Sequence, residues 1–470
     1  MNIKLSQKIL KGVIKAPASN APLRHPYGCH LPLQGRQGLI SLRPKILNGV
    51  IKAPASKSEA HRILICAALC DEPTQVHNLN LNNLNDDIRA TINCLKALGA
   101  EFEFEDDFIL VKPINKVNIN INNTPVLDCN ESGSTLRFML PVACALYDKV
   151  KFTGRGRLPE RPLDDLLSVM KSHGVSFSND KLPFETQGKL RAGEFKIRGD
   201  ISSQYITGLL LAMPLLNDKA KITLTSSLKS ADYVNITLKV LQDFNININN
   251  NLKLKSPSAA FYLAAGALGC DFKSPGIISV GGDWSSAAFW LATGALGCDV
   301  SVSGLDLKSE QGDKRILDLL KQFGAEIIIN EDNIKAKANK LLASNIDIDA
   351  TPDLLPILAV VAAYADGESV FYNAARLRLK ESDRIKSACE MINSLQICEA
   401  RELDDKLIVK GSNFRNLRGG FVNGFNDHRI VMSAAIAAVR CENEVIISDC
   451  DAVNKSYPKF FEDYNNLTHL

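Results

Sequence analysis

The sequence contains no Cys-x-x-Cys pair, although twelve cysteines are scattered through its 470 residues. That argues against a disulfide framework or a zinc site and for a reducing compartment. Cys66 and Cys70 stand at helical spacing in the apolar run ILICAALC and read as buried thiols. Charge of either sign is not in excess. The formal net charge is +3, too small for the basic field that nucleic acid or an anionic membrane would require. Any anion must therefore be held by a local cluster. Long hydrophobic runs are missing as well. Stretches such as LLPILAVVAAYA (354–365) reach about a dozen residues, short of the ~20 that span a bilayer. The opening MNIKLSQKILKG lacks the apolar core and small-residue cleavage site of a secretory signal. Neither G-x-G-x-x-G nor G-x-x-x-x-G-K-[ST] occurs, and no His/Cys/Asp/Glu set has metal-ligand spacing. The expectation is a cytoplasmic protein with no metal, no cofactor, and no nucleic-acid or membrane partner.

What is present is ordinary globular composition, 46% hydrophobic and 23% charged, with length for two or three domains. One local grammar recurs. A polar or acidic start leads into an amphipathic helix, then Gly or Asn, then a β-rich run. Examples are LNDDIRATINCLKALGAEFEF (84–104) and QGDKRILDLLKQFGAEIII (311–329). Asp86, Asp164, Asp232, Asp313 and Asp383 mark equivalent starts about 70–80 residues apart, where a carboxylate suits the positive end of a helix dipole. Gly99 and Gly324 end two of these helices. That spacing is too long for a solenoid and fits compact α/β units. A second helix type, ISSQYITGLLLAM (201–213) and WSSAAFWLATGAL (284–296), is apolar nearly all round and should be interior.

Two segments are near-copies. ILKGVIKAPAS (9–19) repeats as ILNGVIKAPAS (46–56), and AAFYLAAGALGCD (259–271) matches AAFWLATGALGCD (287–299) at eleven of thirteen positions. Residues 1–44 are read as an extension and 256–273 as a duplicated insert, both passengers. An extra apolar helix in the insert could jam a hinge there.

The two APAS copies diverge immediately after their shared phrase. The second continues Lys57-Ser58-Glu59-Ala60-His61-Arg62, with Ser56 and Glu59 at capping-box spacing. Lys57 and Ser58 then fall in a first helical turn, where free N–H groups and the dipole favour an anion, and Arg62 lies one turn on. The first copy has Asn20, Pro22 and Pro26 instead and cannot build that helix start. Alone, KSEAHR is equally a capped helix with solvated charges. Other clusters share its character: Glu131-Ser132-Gly133-Ser134-Thr135 with Arg137, GRGRLPERP (154–162), Asp200 to Gln204, Lys380 to Arg384, Asn426-Asp427-His428-Arg429, and Lys455. Each also has a plain reading as a cap or an exposed basic loop. Together they place cations and hydroxyls at several helix starts along the whole chain. Facing one cleft, these would hold two anionic substrates and would push two domains apart until the anions arrive.

In this order APASKSEAHR, ESGSTLRF, RLPERP, GDISSQY, TPDLLP, LKESDR, NDHR and NKSYPKFF resemble the EPSP synthase (3-phosphoshikimate 1-carboxyvinyltransferase) family of enolpyruvyl transferases, over about 45–470. The resemblance implies a two-domain α/β fold, an inverted barrel-like arrangement with three βαβαββ units per domain and two crossings between domains. One domain would comprise 45–55 and 276–470, the other 56–275. The implied enzyme transfers the enolpyruvyl group of phosphoenolpyruvate to the 5-hydroxyl of shikimate 3-phosphate, releasing phosphate, as a monomer without cofactor.

The resemblance also implies roles. Lys57, Ser58, Arg62, Ser202, Ser203, Gln204, Ser230, Tyr233, Asp353 and Lys380 match the shikimate 3-phosphate site. Lys57, Gly133, Arg161, Gln204, Arg384, His428, Arg429 and Lys455 match the phosphoenolpyruvate site. Asp353 matches the base at the 5-hydroxyl and Glu381 the acid at the methylene carbon, with Lys455 and Lys57 as further catalytic candidates. A carboxylate base, a separate acid and clustered cations are what this chemistry needs. Glu131 and Arg376 stand where many members have Asn, and Ser134 where many have Thr. The family's UDP-N-acetylglucosamine relatives carry a cysteine in the loop matching 154–162, absent here. A binding protein of the same fold, inactivated by its insertions, is the other alternative.

Overall fold

The computed structural model describes residues 38–79, 84–117, 124–216, 218–250, 260–263, 271–337 and 339–467. The first APAS copy lies outside them. Among the described residues there are twelve α-helices. These are α1 (Lys57–Ala68), α2 (Asp86–Ala97), α3 (Gly133–Leu146), α4 (Asp164–Ser172), α5 (Ser203–Ala212), α6 (Ala231–Asp243), α7 (Trp284–Ala295), α8 (Ile316–Gln322), α9 (Leu355–Tyr364), α10 (Arg384–Ser394), α11 (His428–Ala437) and α12 (Phe460–Asn466).

Buried apolar side chains fall into two clusters. One draws on α1 to α6 and their strands, from Ala60 to Val280. The other draws on 40–53 and on α7 to α12, from Trp284 onward. We call these the first and second lobes. Each lobe has three sheets. Five of the six sheets repeat one pattern: an edge strand parallel to its neighbour, followed by two antiparallel strands. Val126–Asp128, Lys149–Thr153, Phe184–Gln187 and Ser176–Phe177 are one instance.

The helices divide as their composition requires. α5, α7, α9 and α11 are apolar on every side and are almost wholly buried. α2, α4, α6 and α10 are amphipathic and cover the sheets. Pro356 is tolerated because it sits in the first turn of α9, where its missing N–H costs nothing, so it starts the helix without kinking it.

The chain crosses between lobes twice, and the crossings exchange strands. Asn48–Lys52 precedes α1 but pairs in parallel with Asp299–Ser303 of the second lobe. Ile277–Ser279 precedes α7 but pairs in parallel with Thr74–His77 of the first lobe. The second crossing therefore lies beyond 280, later than the expected 276. The two crossing segments run side by side. Ser56 N–H donates to Gly281 C=O at 2.8 Å, and Asp283 N–H donates to Pro54 C=O at 2.8 Å. A Cβ on Gly282 would lie 2.2 Å from the Gly304 carbonyl oxygen, so only glycine fits there.

Two expectations are overturned. Ile40–Leu42, expected in a passenger extension, pairs antiparallel with Val445–Ile447 and buries Ile40 and Leu42 in the second lobe. Ala260–Leu263, expected in a passenger insert, forms a strand between Ala220–Leu224 and Ile248–Asn250, completing the third sheet of the first lobe. Phe261 is fully buried there, and Phe272 is buried beside Cys70. Two open strand edges were available, and pairing them was the way to satisfy their backbone groups.

Phe261→Ala is expected to cost about 3–5 kcal/mol of unfolding free energy in denaturant titration. Deleting 256–273 should be at least as damaging. A passenger segment would leave the midpoint unchanged.

Candidate active site

The N-terminal turns of α1, α3, α5, α7 and α11, with the turn that leads into α9, open on one cleft between the lobes. Lys57 and Ser58 come from α1, Gly133 and Ser134 from α3, Ser203 and Gln204 from α5, Ser285 from α7 and Asp353 from the turn before α9. His428 and Arg429 come from α11. Arg62, Arg161, Ser202, Ser230, Tyr233, Lys380, Glu381 and Arg384 also line it. Lys455 stands apart at the edge, reaching Glu131 Oε2 at 2.6 Å and the Asn426 carbonyl at 2.8 Å.

Local sequence explains these placements. Ser56 caps α1 by accepting from Glu59 N–H at 3.4 Å, and Ser132, Ser202, Asp283 and Asp427 cap α3, α5, α7 and α11. The expected capping box at α1 is only half made. The Glu59 carboxylate does not turn back to Ser56. It accepts from Gly281 N–H at 2.9 Å and from Gln311 Nε2 at 3.0 Å. The Ser56 N–H is already bonded to Gly281, so Glu59 serves the second crossing instead.

Arg62 is likewise committed inward. Its Nε donates to Thr237 Oγ1 at 2.8 Å and its Nη2 to the Tyr233 carbonyl at 2.9 Å, while Nη1 reaches the Ser58 carbonyl at 2.5 Å. Burial pushes this guanidinium down to about 10, which still leaves it charged.

The expected repulsion between facing cations is offset, because carboxylates interleave with them. Lys57 Nζ pairs with Asp87 at 2.9 Å, and the Lys57 N–H donates to Asp283 at 3.0 Å. Arg384 is buried against three carboxylates: Asp427 at 2.8 Å, Asp353 at 2.6 Å and Glu381 at 2.6 Å. Asp353 also meets Arg429 at 3.4 Å and Lys380 at 3.4 Å, and accepts from Tyr233 Oη of the other lobe at 3.0 Å. Glu381 faces Arg161 of the first lobe at 3.7 Å. Lys229–Asp349 at 2.7 Å and Glu131–Lys455 join the lobes at either end. Sequence reasoning missed Asp87 and Asp283 as site residues, and it placed Arg384's partner Asp427 in a helix-start cluster without giving it a role. Only the helix-start position of each hinted at them.

The EPSP synthase (3-phosphoshikimate 1-carboxyvinyltransferase) family profile matches residues 43–464. A 3-phosphoshikimate 1-carboxyvinyltransferase of Clostridium perfringens (strain SM101 / Type A) is 40% identical over 418 residues, 88% of this chain and 94% of its own. That of Clostridium novyi (strain NT) is 39% identical over 423 residues, 87% and 93% of the two chains. This chain belongs to the EPSP synthase family. The fold agrees. EPSP synthase from Acinetobacter baumannii superposes with a TM-score of 0.74 at 22% identity, covering 92% of this chain and 98% of that one. The enolpyruvyl transferase NikO from Streptomyces tendae does so with 0.71 at 17%, covering 92% and 97%.

The electrostatics of this family member sort its acids. Burial alone would raise Asp353, but Arg429, Lys380 and Arg384 outweigh it and hold the carboxyl well below the usual range. Glu381 is held low in the same way by Arg384 and Arg161, against burial. His428 is kept neutral by burial and by the Lys57 charge, and among the described residues neither ring nitrogen has a hydrogen-bond partner. Asp313 goes the other way. Burial and the nearby Asp353 charge raise it to about 6, while Ser285 Oγ donates to it. Among the described residues, no group of three His/Cys/Asp/Glu could hold a metal ion, and no helix is long and apolar enough to cross a membrane.

Two measurements test this arrangement of charge. Asp427→Ala leaves Arg384 short of a buried partner and should cost about 3–5 kcal/mol in denaturant unfolding. Asp313 binds its proton more tightly folded than unfolded. Its contribution to stability is therefore present below 3.8 and is lost as pH rises to about 6. Asp313→Asn should remove that falling slope, read as the difference in Tm between variant and parent across the range from about pH 4 to about pH 7.

Proposed function

We infer that this chain transfers the enolpyruvyl group of phosphoenolpyruvate to the 5-hydroxyl of shikimate 3-phosphate and releases phosphate. The observation that carries the reading is the single cleft in which helix starts of both lobes present Lys57, Arg384 and Arg429, and the loop before α4 presents Arg161, around the carboxylates Asp353 and Glu381. Two small polyanions are the chemistry such a site suits.

In the first step the 5-hydroxyl oxygen bonds to C2 of phosphoenolpyruvate. Its proton passes to Asp353, and the methylene carbon takes a proton from Glu381. In the second step the C2–O bond to phosphate breaks, with the proton held by Asp353 passing to the departing phosphate, and a methyl proton returns to the Glu381 carboxylate, which re-forms the carbon–carbon double bond and yields the enol ether. Lys57, Arg161, Arg384 and Arg429 offset the charge of the phosphate as it leaves. Lys455 is a further proton-transfer candidate at the rim. Ser58, Ser202, Ser203, Ser230, Tyr233 and Lys380 would hold the shikimate 3-phosphate end, and Gly133, Gln204 and His428 the phosphoenolpyruvate end.

Glu381 must carry a proton to act as the acid, yet Arg384 and Arg161 disfavour this. An anion bound to those guanidiniums would offset their charge and let the carboxyl rise. The acid is thus armed by the substrate it protonates. Lobe closure would exclude water from the addition product.

Purified full-length protein should release phosphate only when both substrates are present. Lys57→Met should lower kcat by about 10²–10³, while Asn20→Ala, in the first APAS copy, should leave turnover unchanged. Binding of both substrates with no phosphate release would instead favour an inactive binding protein.

A further inference from the structure

We propose that Arg137 is a positioning residue that fixes the side-chain amide of Gln204 with its nitrogen toward the cleft. This rests on the reading of Gln204 as a substrate-contacting group.

Arg137 follows Gly133 by one turn of α3 and is 5% exposed. Its Nη1 donates to Gln204 Oε1 at 2.8 Å, and its Nη2 donates to the Pro162 carbonyl at 3.0 Å. Pro162 also accepts from Tyr205 Oη at 2.6 Å, and the Tyr205 ring lies 5.6 Å from the guanidinium. Gln204 Nε2 then donates to Ser134 Oγ at 2.9 Å. A glutamine amide can turn over, exchanging acceptor for donor. A guanidinium offers only donors, so the turned form would place N–H against N–H. Arg137 thereby selects one of the two orientations.

The surroundings are shaped for this guanidinium. A Cβ on Gly133 would lie 2.6 Å from Nη1 of both Arg137 and Arg161. A Cβ on Gly208 of α5 would lie 2.1 Å from the Arg137 carbonyl oxygen, so α3 and α5 touch at this residue. Among the described residues Arg137 makes no ion pair with a carboxylate, and its buried Nε has no partner. A buried cation with so little compensation is costly, and structural stability alone would not favour it over a neutral side chain. Lysine could reach the Gln204 oxygen or the Pro162 carbonyl, but not both in a fixed fork.

The experiment is a double-mutant cycle of Arg137→Lys and Gln204→Ala in the full chain, read as kcat/KM for phosphoenolpyruvate and as Tm. Each single variant is expected to lose about 10–100-fold in kcat/KM. The pair should lose no more than Gln204→Ala alone, because Arg137 acts through that amide. Gln204→Glu supplies a check that does not depend on Arg137→Lys folding. It keeps the Arg137 contact, so Tm should hold, but it places an oxygen where the donor stood, and activity should fall as far as in Gln204→Ala. Additive losses, or full activity in Gln204→Glu, overturn the proposal. If the parent chain itself shows no phosphate release, the functional reading fails instead, and the same cycle read as calorimetric phosphoenolpyruvate affinity still decides the Arg137–Gln204 coupling.

Discussion

A cleft assembled from helix N-termini repels itself. Six partial positive ends, with Lys57, Arg161, Lys380, Arg384 and Arg429 among them, can share one space only if negative charge lies between them. The chain supplies that charge on its own carboxylates. Arg384 is the centre of the arrangement, because it is buried and is held by Asp353, Glu381 and Asp427 together. Two of those three acids have cationic or hydroxyl partners on the opposite lobe: Asp353 with Tyr233, and Glu381 with Arg161. The same ion pairs therefore neutralise the floor of the site and hold the lobes in register. An incoming dianion exchanges with carboxylates already on the arginines, and does not simply fill an empty field of charge. Its net gain is the difference between two sets of charge-assisted bonds, which makes affinity sensitive to small changes in geometry.

The crossings impose a second constraint. Each lobe completes one sheet with a strand that belongs, in chain order, to the helix of the other lobe. α1 and α7 consequently begin where the two segments cross, side by side, and the Lys57 N–H is bonded to the Asp283 cap of α7. Glu59 adds to the same junction through Gly281 and Gln311. Lys57 is thus placed by both lobes at once. Any relative movement of the lobes that preserves this junction leaves the lysine at the pivot, while Arg384 and Arg429 swing toward or away from it.

The helix starts were legible in the sequence because their signals are local. Ser-Lys-Ser, Ser-Gly-Ser, Ser-Ser-Gln and Asp-His-Arg each announce a cap followed by an apolar run, and each sits at the start of an interior helix. What was not legible is what each side chain does once distant chain arrives. Glu59 has capping-box spacing, yet its partner lies 222 residues away. Arg62 has the spacing of a ligand residue and lines the cleft, yet part of its guanidinium is spent on Thr237 and the Tyr233 carbonyl on α6. Asp313 repeats the acidic helix-start pattern of Asp86 and Asp164, but lies buried beside Ser285. In each case one-dimensional spacing was correct about the helix and silent about which face another element would cover.

The near-copied segments show the same limit more sharply. Ala260-Phe261-Tyr262-Leu263 is a strand, whereas Ala288-Phe289-Trp290-Leu291 is the middle of α7. Four nearly identical residues adopt opposite backbones. Both Phe261 and Phe289 are buried, so hydrophobic gain does not distinguish the two outcomes. Hydrogen bonding does. At 288–291 the run comes after Asp283, whose carboxylate caps Ser286 N–H at 2.7 Å, and the helix propagates from that nucleus. At 260–263 the run enters the gap between Ala220–Leu224 and Ile248–Asn250, where each neighbour offers an unpaired edge. An apolar quartet has no strong preference of its own, so the unsatisfied backbone groups already in place decide its conformation. Identity of sequence between two segments is therefore no warrant for treating either as dispensable.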